Sequence, residues 1–418
     1  MSDTTTDITE IARFLEGVAA EVRERPKRPA FPAEEYRGRL ARLRAAMARD
    51  QIDLVLLFSM DAMCWLHGYE LRWYKAASPR EWPPLGCTAV HVEQGEPIVF
   101  ETIEHRDLLH ERSVAEDVRL STREDGRGRL DFMLANLRAE GWLGGRVGTE
   151  RWAFLPNHAV AATVDEALRA AGCETVDATD AIRGARRVKS PLELERIGRA
   201  AAICDIGLTH LQSVLRPGMT ELEAWGEMML AMARAGGEPA AIHEMVSVGD
   251  IHRNHALAGP RRLAAGDVMW ADPCGVLDRY HANVARTFSL GAAPAPARRV
   301  AAIEAGAYDV LCEVARPGTP VREVARRLHE YYVDAGVWEL RGNGWVGAYE
   351  LGVSFPPDWV GDFCWSVGEE ERDDVIEAGS VSNYESCIGL PMIDTIVYGE
   401  EATVRLSQVP LEVLEAGG

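Results

Sequence analysis

The chain has 418 residues, 47% of them apolar and 26% charged, with 38 Gly and 21 Pro, and this globular balance excludes disorder, collagen and coiled coil as the main architecture. Its 65 Asp and Glu against 45 Lys and Arg leave a net charge of −20. So acidic a surface, with no dense Lys/Arg block, excludes nucleic acid and membrane as expected partners. The longest apolar stretch, residues 52–66, is broken by Asp53, Ser59 and Asp61 and is too short to span a bilayer.

Residues 1–30 read as a polar, charge-mixed lead, the reverse of a signal peptide's basic start and apolar centre. The eight cysteines are scattered without a CxxC pair, as expected of buried thiols in a reducing cytoplasm. From Phe31 the chain alternates. Leu40, Leu43, Ala46 and Met47 fall at helical spacing, and residues 54–58 form a short apolar run typical of a buried strand. Strands at 90–100 and 146–148 and helices at 130–139 and 159–171 continue the pattern, which predicts an α/β domain over residues 31–185.

A basic seam, Arg183 to Lys189, leads into a second domain over residues 186–418. Ser190 with Pro191 and Glu193 forms a capping box that starts a long helix, stopped at Arg216-Pro217-Gly218. Thr220 with Glu223 opens another by the same device. Arg316-Pro317-Gly318 repeats this punctuation, and strand-like segments follow at 268–274, 381–385 and 395–398. The pattern predicts two related helix-helix-strand halves in one α+β domain.

His255, Gly266-Asp267-Val268, Asp272, Arg286-Thr287-Phe288 and the Glu385 strand resemble the pita-bread family of creatinase and proline-specific aminopeptidases. Tyr36 to Met47, Ile52 to Phe58 and Trp65 to Tyr69 extend the resemblance to its α/β N-terminal domain. It implies a creatinase/aminopeptidase-like chain ending in a pita-bread catalytic domain. The family's peptidases hold two metal ions with two aspartates eleven residues apart, one histidine and two glutamates. Here Asp272 and Glu385 match, but the other three positions carry Asn283, Tyr349 (three residues before Gly352) and Ile393 (before Asp394-Thr395). Asn is a weak ligand, neutral Tyr a poor one and Ile none, so no metal and no other cofactor is expected. Pro356 stands where the peptidases place a second histidine.

The interval between His255 and Asp272 resembles creatinase, whose metal-free hydrolysis relies on a histidine there, and imidazole suits proton transfer near neutral pH. His252 is the alternative base. Of creatinase's two guanidinium-binding glutamates only Glu385 is matched; the other falls on Ala285, which argues against creatine. Arg279-Tyr280-His281 and the run from Gly352 to Trp359, with its Pro-Pro-Asp-Trp, resemble the ectoine hydrolase branch instead. The resemblance implies a homodimer in which Arg72, on an aromatic loop, grips a substrate carboxylate across the interface; alternatively Arg72 packs beside Trp73. The expected site is thus His255 and Glu385 for catalysis, with Asp272, Tyr349, Arg72 and His281 binding a small cationic or zwitterionic substrate. The leading reading is a metal-independent hydrolase of a C–N bond. A lyase on the same scaffold and a non-catalytic binding module remain alternatives, and a metal-dependent proline peptidase stands behind them.

Overall fold

The computed structural model describes residues 8–70, 80, 83, 85–122, 126–359, 361–368 and 372–417. The chain divides into two compact units, Met1–Ala185 and Arg186–Gly418.

The first unit contains α1 (Ile8–Arg23), α2 (Ala33–Arg49), β1 (Leu54–Leu57), α3 (Met60–His67), β2 (Cys87–His91), β3 (Ile98–Thr102) and α4 (Arg106–Arg112). It continues with β4 (Asp117–Ser121), α5 (Gly126–Ala139), β5 (Arg146–Thr149), α6 (His158–Ala170), β6 (Glu174–Asp177) and α7 (Thr179–Arg187). The strands form one mixed sheet in the order β4-β3-β2-β1-β5-β6. Every residue of β1 is buried, as its unbroken apolar run requires. Residues 52–66 are not one element: β1 ends, Ser59 caps α3, and Gly68 closes that helix in the left-handed conformation. The expected strand at 90–100 is instead a hairpin of β2 and β3, turning through the polar residues between His91 and Glu96. The lead is also more ordered than its polarity suggested. Residues 8–23 form a helix whose Ile8, Ile11, Phe14, Leu15 and Val18 are all exposed.

In the second unit both capping boxes are in place, at Ser190 for α8 (Pro191–Val214) and at Thr220 for α9 (Glu221–Arg234). Next come β7 (Met245–Val248), β8 (Val268–Asp272), β9 (Cys274–Leu277), β10 (Tyr280–Asn283) and β11 (Arg286–Leu290). The second half brings α10 (Ala295–Val314), α11 (Val321–Asp334), β12 (Gly347–Tyr349), β13 (Cys364–Ser366), β14 (Ser380–Cys387), β15 (Pro391–Tyr398), β16 (Thr403–Arg405) and β17 (Leu414–Ala416). The two halves repeat their corners. The Gly218 and Gly318 amides donate to Leu263 and Ile376, each at 2.8 Å, and both glycines have positive φ.

Two sheets result, β17-β11-β8-β7 and β13-β12-β14-β15-β16, with the β9–β10 hairpin beside them. Leu208, Leu211, Met228 and Met232 pack with Met269 and Phe288 of the first sheet. Leu311, Leu328 and Tyr332 pack with Trp365, Tyr384 and Ile396 of the second. Ala285 and Ile393 exchange two backbone hydrogen bonds, 2.9 and 3.2 Å, that join the sheets. Arg286 locks the seam, donating to Asp394 at 2.7 Å and to the carbonyls of Ile393 and Val409 at 2.9 Å, with both side chains fully buried. Among the described residues no helix is long and apolar enough to cross a membrane.

Candidate active site

The seam between the two sheets gathers polar residues into one chain of hydrogen bonds. Asn283, ending β10, donates from Nδ2 to Asp272 Oδ1 at 2.6 Å. Asn383 Nδ2 donates to Asn283 Oδ1 at 3.2 Å and to Glu385 Oε1 at 3.1 Å. The Tyr349 hydroxyl donates to the same Glu385 oxygen at 2.6 Å, and the Tyr349 amide donates to Asn383 Oδ1 at 3.0 Å. Strand geometry explains the grouping. Asn383 and Glu385 are two apart on β14 and share a face, opposite Thr395 and Ile393 of β15. Thr395 in turn exchanges hydrogen bonds with the Asn283 backbone at 2.8 and 2.9 Å. Gly275 holds the hairpin that carries Asn283 hard against α8, where a Cβ would strike the Ala200 carbonyl.

Burial sets the protonation. Loss of hydration, then the nearby Glu385, push the Asp272 carboxyl from 3.8 up to about 7, against the stabilising Asn283 amide. Burial also raises Glu385, opposed by its bonds from Tyr349 and Asn383. The Tyr349 phenol is held protonated, first by burial and then by the Glu385 and Asp272 charges, so it acts as a donor. Tyr349 is flanked by Trp345, stacked at 5.8 Å, and Trp359, edge-on at 5.4 Å. Burial raises Cys274 and Cys387 well above the usual thiol range, which fits packing thiols.

The two histidines of the 250s differ. His252 is tied to the Cys387 carbonyl through Nε2 at 2.9 Å. His255 is exposed on one side, its ring 6.3 Å from that of Trp270, with no hydrogen-bond partner among the described residues. Trp270 and Asp272 alternate onto the same face of β8, so His255 stands over the face that bears Asp272. Partial loss of hydration, then the neighbouring His252, lower its pKa below 6.5.

Arg279-Tyr280-His281 and the run beginning at Gly352 prove to be one physical unit. The Arg279 guanidinium donates to the Ser354 carbonyl at 3.0 Å and lies 4.7 Å from the Phe355 ring centre; the Ser354 amide donates back to the Arg279 carbonyl at 3.2 Å. The His281 amide donates to the Gly352 carbonyl at 3.0 Å. Asp278 and Arg279 both have positive φ, an unfavourable conformation for non-glycine residues, and the Glu238 carboxylate holds it by accepting both amides at 2.7 and 3.1 Å.

His281 does not fit the substrate-binding role expected of it. It is fully buried, Nε2 accepts the Ala241 amide at 3.0 Å, and Nδ1 faces the Arg279 carbonyl at 2.9 Å. Burial, then the Arg279 charge, lower it to about 3, so the ring is a neutral brace for the loop before β7. The structure therefore brings Asp272, Tyr349 and Glu385 together, sets His255 on the same side, and assigns His281 to support. Arg72 lies outside the described residues. Sequence reasoning missed Asn383, although its position two residues before Glu385 on a strand was signal enough.

Residues 195–408 match the model of metallopeptidase family M24, and residues 39–188 that of the creatinase/prolidase N-terminal domain. The chain belongs to metallopeptidase family M24. This M24 protein is 25% identical to the ectoine hydrolase of Halomonas elongata over 92% of its own length and 98% of that protein's. It is 23% identical to an Xaa-Pro dipeptidase of Pyrococcus furiosus over 56% of its length and 67% of the dipeptidase. Its fold is that of the pita-bread peptidases: an X-Pro aminopeptidase from Thermotoga maritima superposes with a TM-score of 0.74 at 16% identity, covering 90% of this chain and 99% of that one.

The donor set does not fit the family's metals. At the five ligand positions of this M24 protein, the Asn283 amide and the Tyr349 hydroxyl point donor hydrogens at the two retained carboxylates, where a cation would need lone pairs. Ile393 faces Glu385 across the strand pair and packs in an apolar cluster with Trp270, Ala285, Ile251 and Cys387.

Proposed function

We propose that this M24 protein is a metal-independent hydrolase of a C–N bond in a small cationic or zwitterionic compound: a cyclic amidine, guanidino compound or amide. The observation that carries the reading is the chain Asp272–Asn283–Asn383–Glu385–Tyr349, which leaves two carboxylates capped by neutral donors beside an apolar wall. Similarity to an ectoine hydrolase along 92% of the chain supports it. Ala285, inside the apolar cluster, speaks against creatine.

In this reading Asp272 and Glu385 hold the cationic nitrogen. His255 takes a proton from water as its oxygen bonds to the amidine or amide carbon, then returns that proton to the leaving nitrogen as the C–N bond breaks. The two carboxylates stabilise positive charge at that nitrogen, most strongly where water is excluded. Arg72, supplied by a second copy of the chain, grips the substrate carboxylate in a homodimer. The joint presence of His255, Asp272 and Glu385 favours an enzyme over a binding module.

The test is an activity screen against ectoine, creatine, related amidines, small amides and Xaa-Pro dipeptides, with product masses recorded. Addition of water to an amidine or amide is the expected outcome. Cleavage of the dipeptides alone would overturn the reading.

A further inference from the structure

Glu304, on α10, carries a carboxyl group sealed between that helix and the second sheet. It is 1% exposed, Oε1 accepts the Ile388 amide at 2.7 Å, and Oε2 has no hydrogen-bond partner among the described residues. Burial raises its pKa well above 4.5 against the stabilising Ile388 amide, so the group is held as the neutral acid. A buried oxygen without a partner is unfavourable, and an apolar side chain at this helix position would avoid that cost. The other oxygen shows what the acid is for: it holds the turn between β14 and β15.

Strand alternation explains the contact. Glu385 and Cys387 share one face of β14, whereas Ser386 faces α10, where its hydroxyl donates to the Glu304 carbonyl at 3.0 Å. Ile388 begins the turn, so Glu304 fixes the end of β14 through its backbone and its side chain together. The same turn carries the loop after β7. The Gly389 carbonyl accepts the Ile251 amide at 3.1 Å, and the Cys387 carbonyl lies 2.9 Å from His252 Nε2. Gly389 has a φ of 109°, and a Cβ there would come within 3.2 Å of Asp250 Oδ2. Asp250 knits the loop, its Oδ1 accepting the His252 and Arg253 amides at 2.9 and 3.2 Å and its carbonyl the Asn254 amide at 2.9 Å. His255 is the next residue. An unbroken line of hydrogen bonds thus runs from Glu304 through the turn to the residue before His255.

We infer that Glu304 is a positioning residue: by holding the turn at residues 388–390 it seats the loop at residues 250–255, and with it His255, beside the pocket. The inference rests on the proposed reading of His255 as the general base, and Glu304 itself touches no substrate. The Ile388 amide is turned towards the core, where an acceptor on α10 satisfies it; without one, the turn would rotate towards water and carry the loop with it. Glu385 stands two residues before Cys387 on the strand that Glu304 anchors, so one side chain sets the register of base and carboxylate together.

The experiment is a pH titration of histidine-labelled protein followed by NMR, with the His255 signal assigned from its loss in His255→Asn, beside the kinetics of ectoine hydrolysis. In the wild type His255 titrates below 6.5, through partial loss of hydration and then the neighbouring His252. Glu304→Leu fills the volume but offers the Ile388 amide no acceptor. It is expected to release the loop into water and move the His255 pKa up towards 6.5. Its kcat is expected to fall about a hundredfold with KM little changed, the usual cost of a reacting group misplaced by about 1 Å. Glu304→Gln keeps an oxygen for the Ile388 amide and is expected to bring both readings back near wild type. A role in stability alone would lower the melting temperature of Glu304→Leu and leave the His255 titration in place. That result, or a Glu304→Gln as impaired as Glu304→Leu, would overturn the inference. Gly389→Ala leaves Glu304 intact and presses the turn against Asp250 from the other side. It is expected to give the same rise in the His255 pKa, and an unmoved titration there would overturn the link from turn to loop even if Glu304→Leu does not fold. A wild-type protein inactive on every compound of the screen above would overturn the hydrolase reading, whereas the titration decides the seating of the loop by itself.

Discussion

Replacing Asn283 with Asp restores the second aspartate of the peptidase pattern, and in this pocket it should harm the protein without giving it a metal. The wild-type amide donates to Asp272 at 2.6 Å, with Asn283 fully buried. Substitution sets one carboxylate oxygen against another, forfeiting a hydrogen bond to a charged group worth about 1.5–3 kcal/mol. Two carboxylates so close cannot both ionise, so the pair retains a proton. In the wild type, Asp272 is raised from 3.8 to about 7, so the native state keeps a proton that the unfolded chain has released. Its contribution to stability is present at low pH and is lost as pH rises from about 4 to about 7. In Asn283→Asp the shared proton is held more tightly, and the loss continues above neutrality at up to about 1.4 kcal/mol per pH unit. Urea unfolding should therefore find the two proteins similar near pH 5, where the proton replaces the amide as donor, and the variant about 1.4 kcal/mol weaker near pH 8, one pH unit past the wild-type titration. Millimolar manganese or zinc should not rescue it, because Tyr349 and Ile393 offer no ligands. Full recovery of stability near pH 8 on adding metal would refute the donor-capping argument.

His255→Asn should lower turnover by about two to four orders of magnitude with a small change in KM, whereas His252→Asn, losing only its bond to the Cys387 carbonyl, should stay largely active; the reverse pattern would move the base three residues along. Glu385→Gln should weaken binding of a cationic substrate and also slow turnover, measurable as a rise in KM with a fall in kcat. Light scattering should find a dimer, and mixing Arg72→Met chains with His255→Asn chains should restore activity through hybrid dimers; a fully active monomer would remove Arg72 from the site.

Much of the scaffold is local and could be read from the chain. Ser190-Glu193 and Thr220-Glu223 are capping boxes closed within three residues, and the Pro217-Gly218 and Pro317-Gly318 corners need only a left-handed glycine. Asp272, Tyr349 and Glu385 come from the family resemblance, whose landmarks are local in the chain: Gly352 follows Tyr349 by three residues and Gly379 precedes Glu385 by six. Roles decided by distant partners were not legible. His281 is polar in sequence and became a buried brace only because Ala241, forty residues earlier, lies on its ring. The burial of Glu244 is equally illegible, since nothing in the pattern around it foretells a loop that Arg279 anchors through the Pro239 carbonyl. The helix at residues 8–23 was missed because its apolar side chains, though helically spaced, were read as part of a charge-mixed tail.

Metal content measured beside activity bears most directly on the central claim. Protein purified without chelator and analysed for zinc, manganese, iron and cobalt should carry far less than one equivalent per chain, and prolonged dialysis against a chelator should leave its hydrolysis of a cyclic amidine such as ectoine unchanged. Two equivalents per chain, with activity lost on chelation and restored by the metal, would contradict the account.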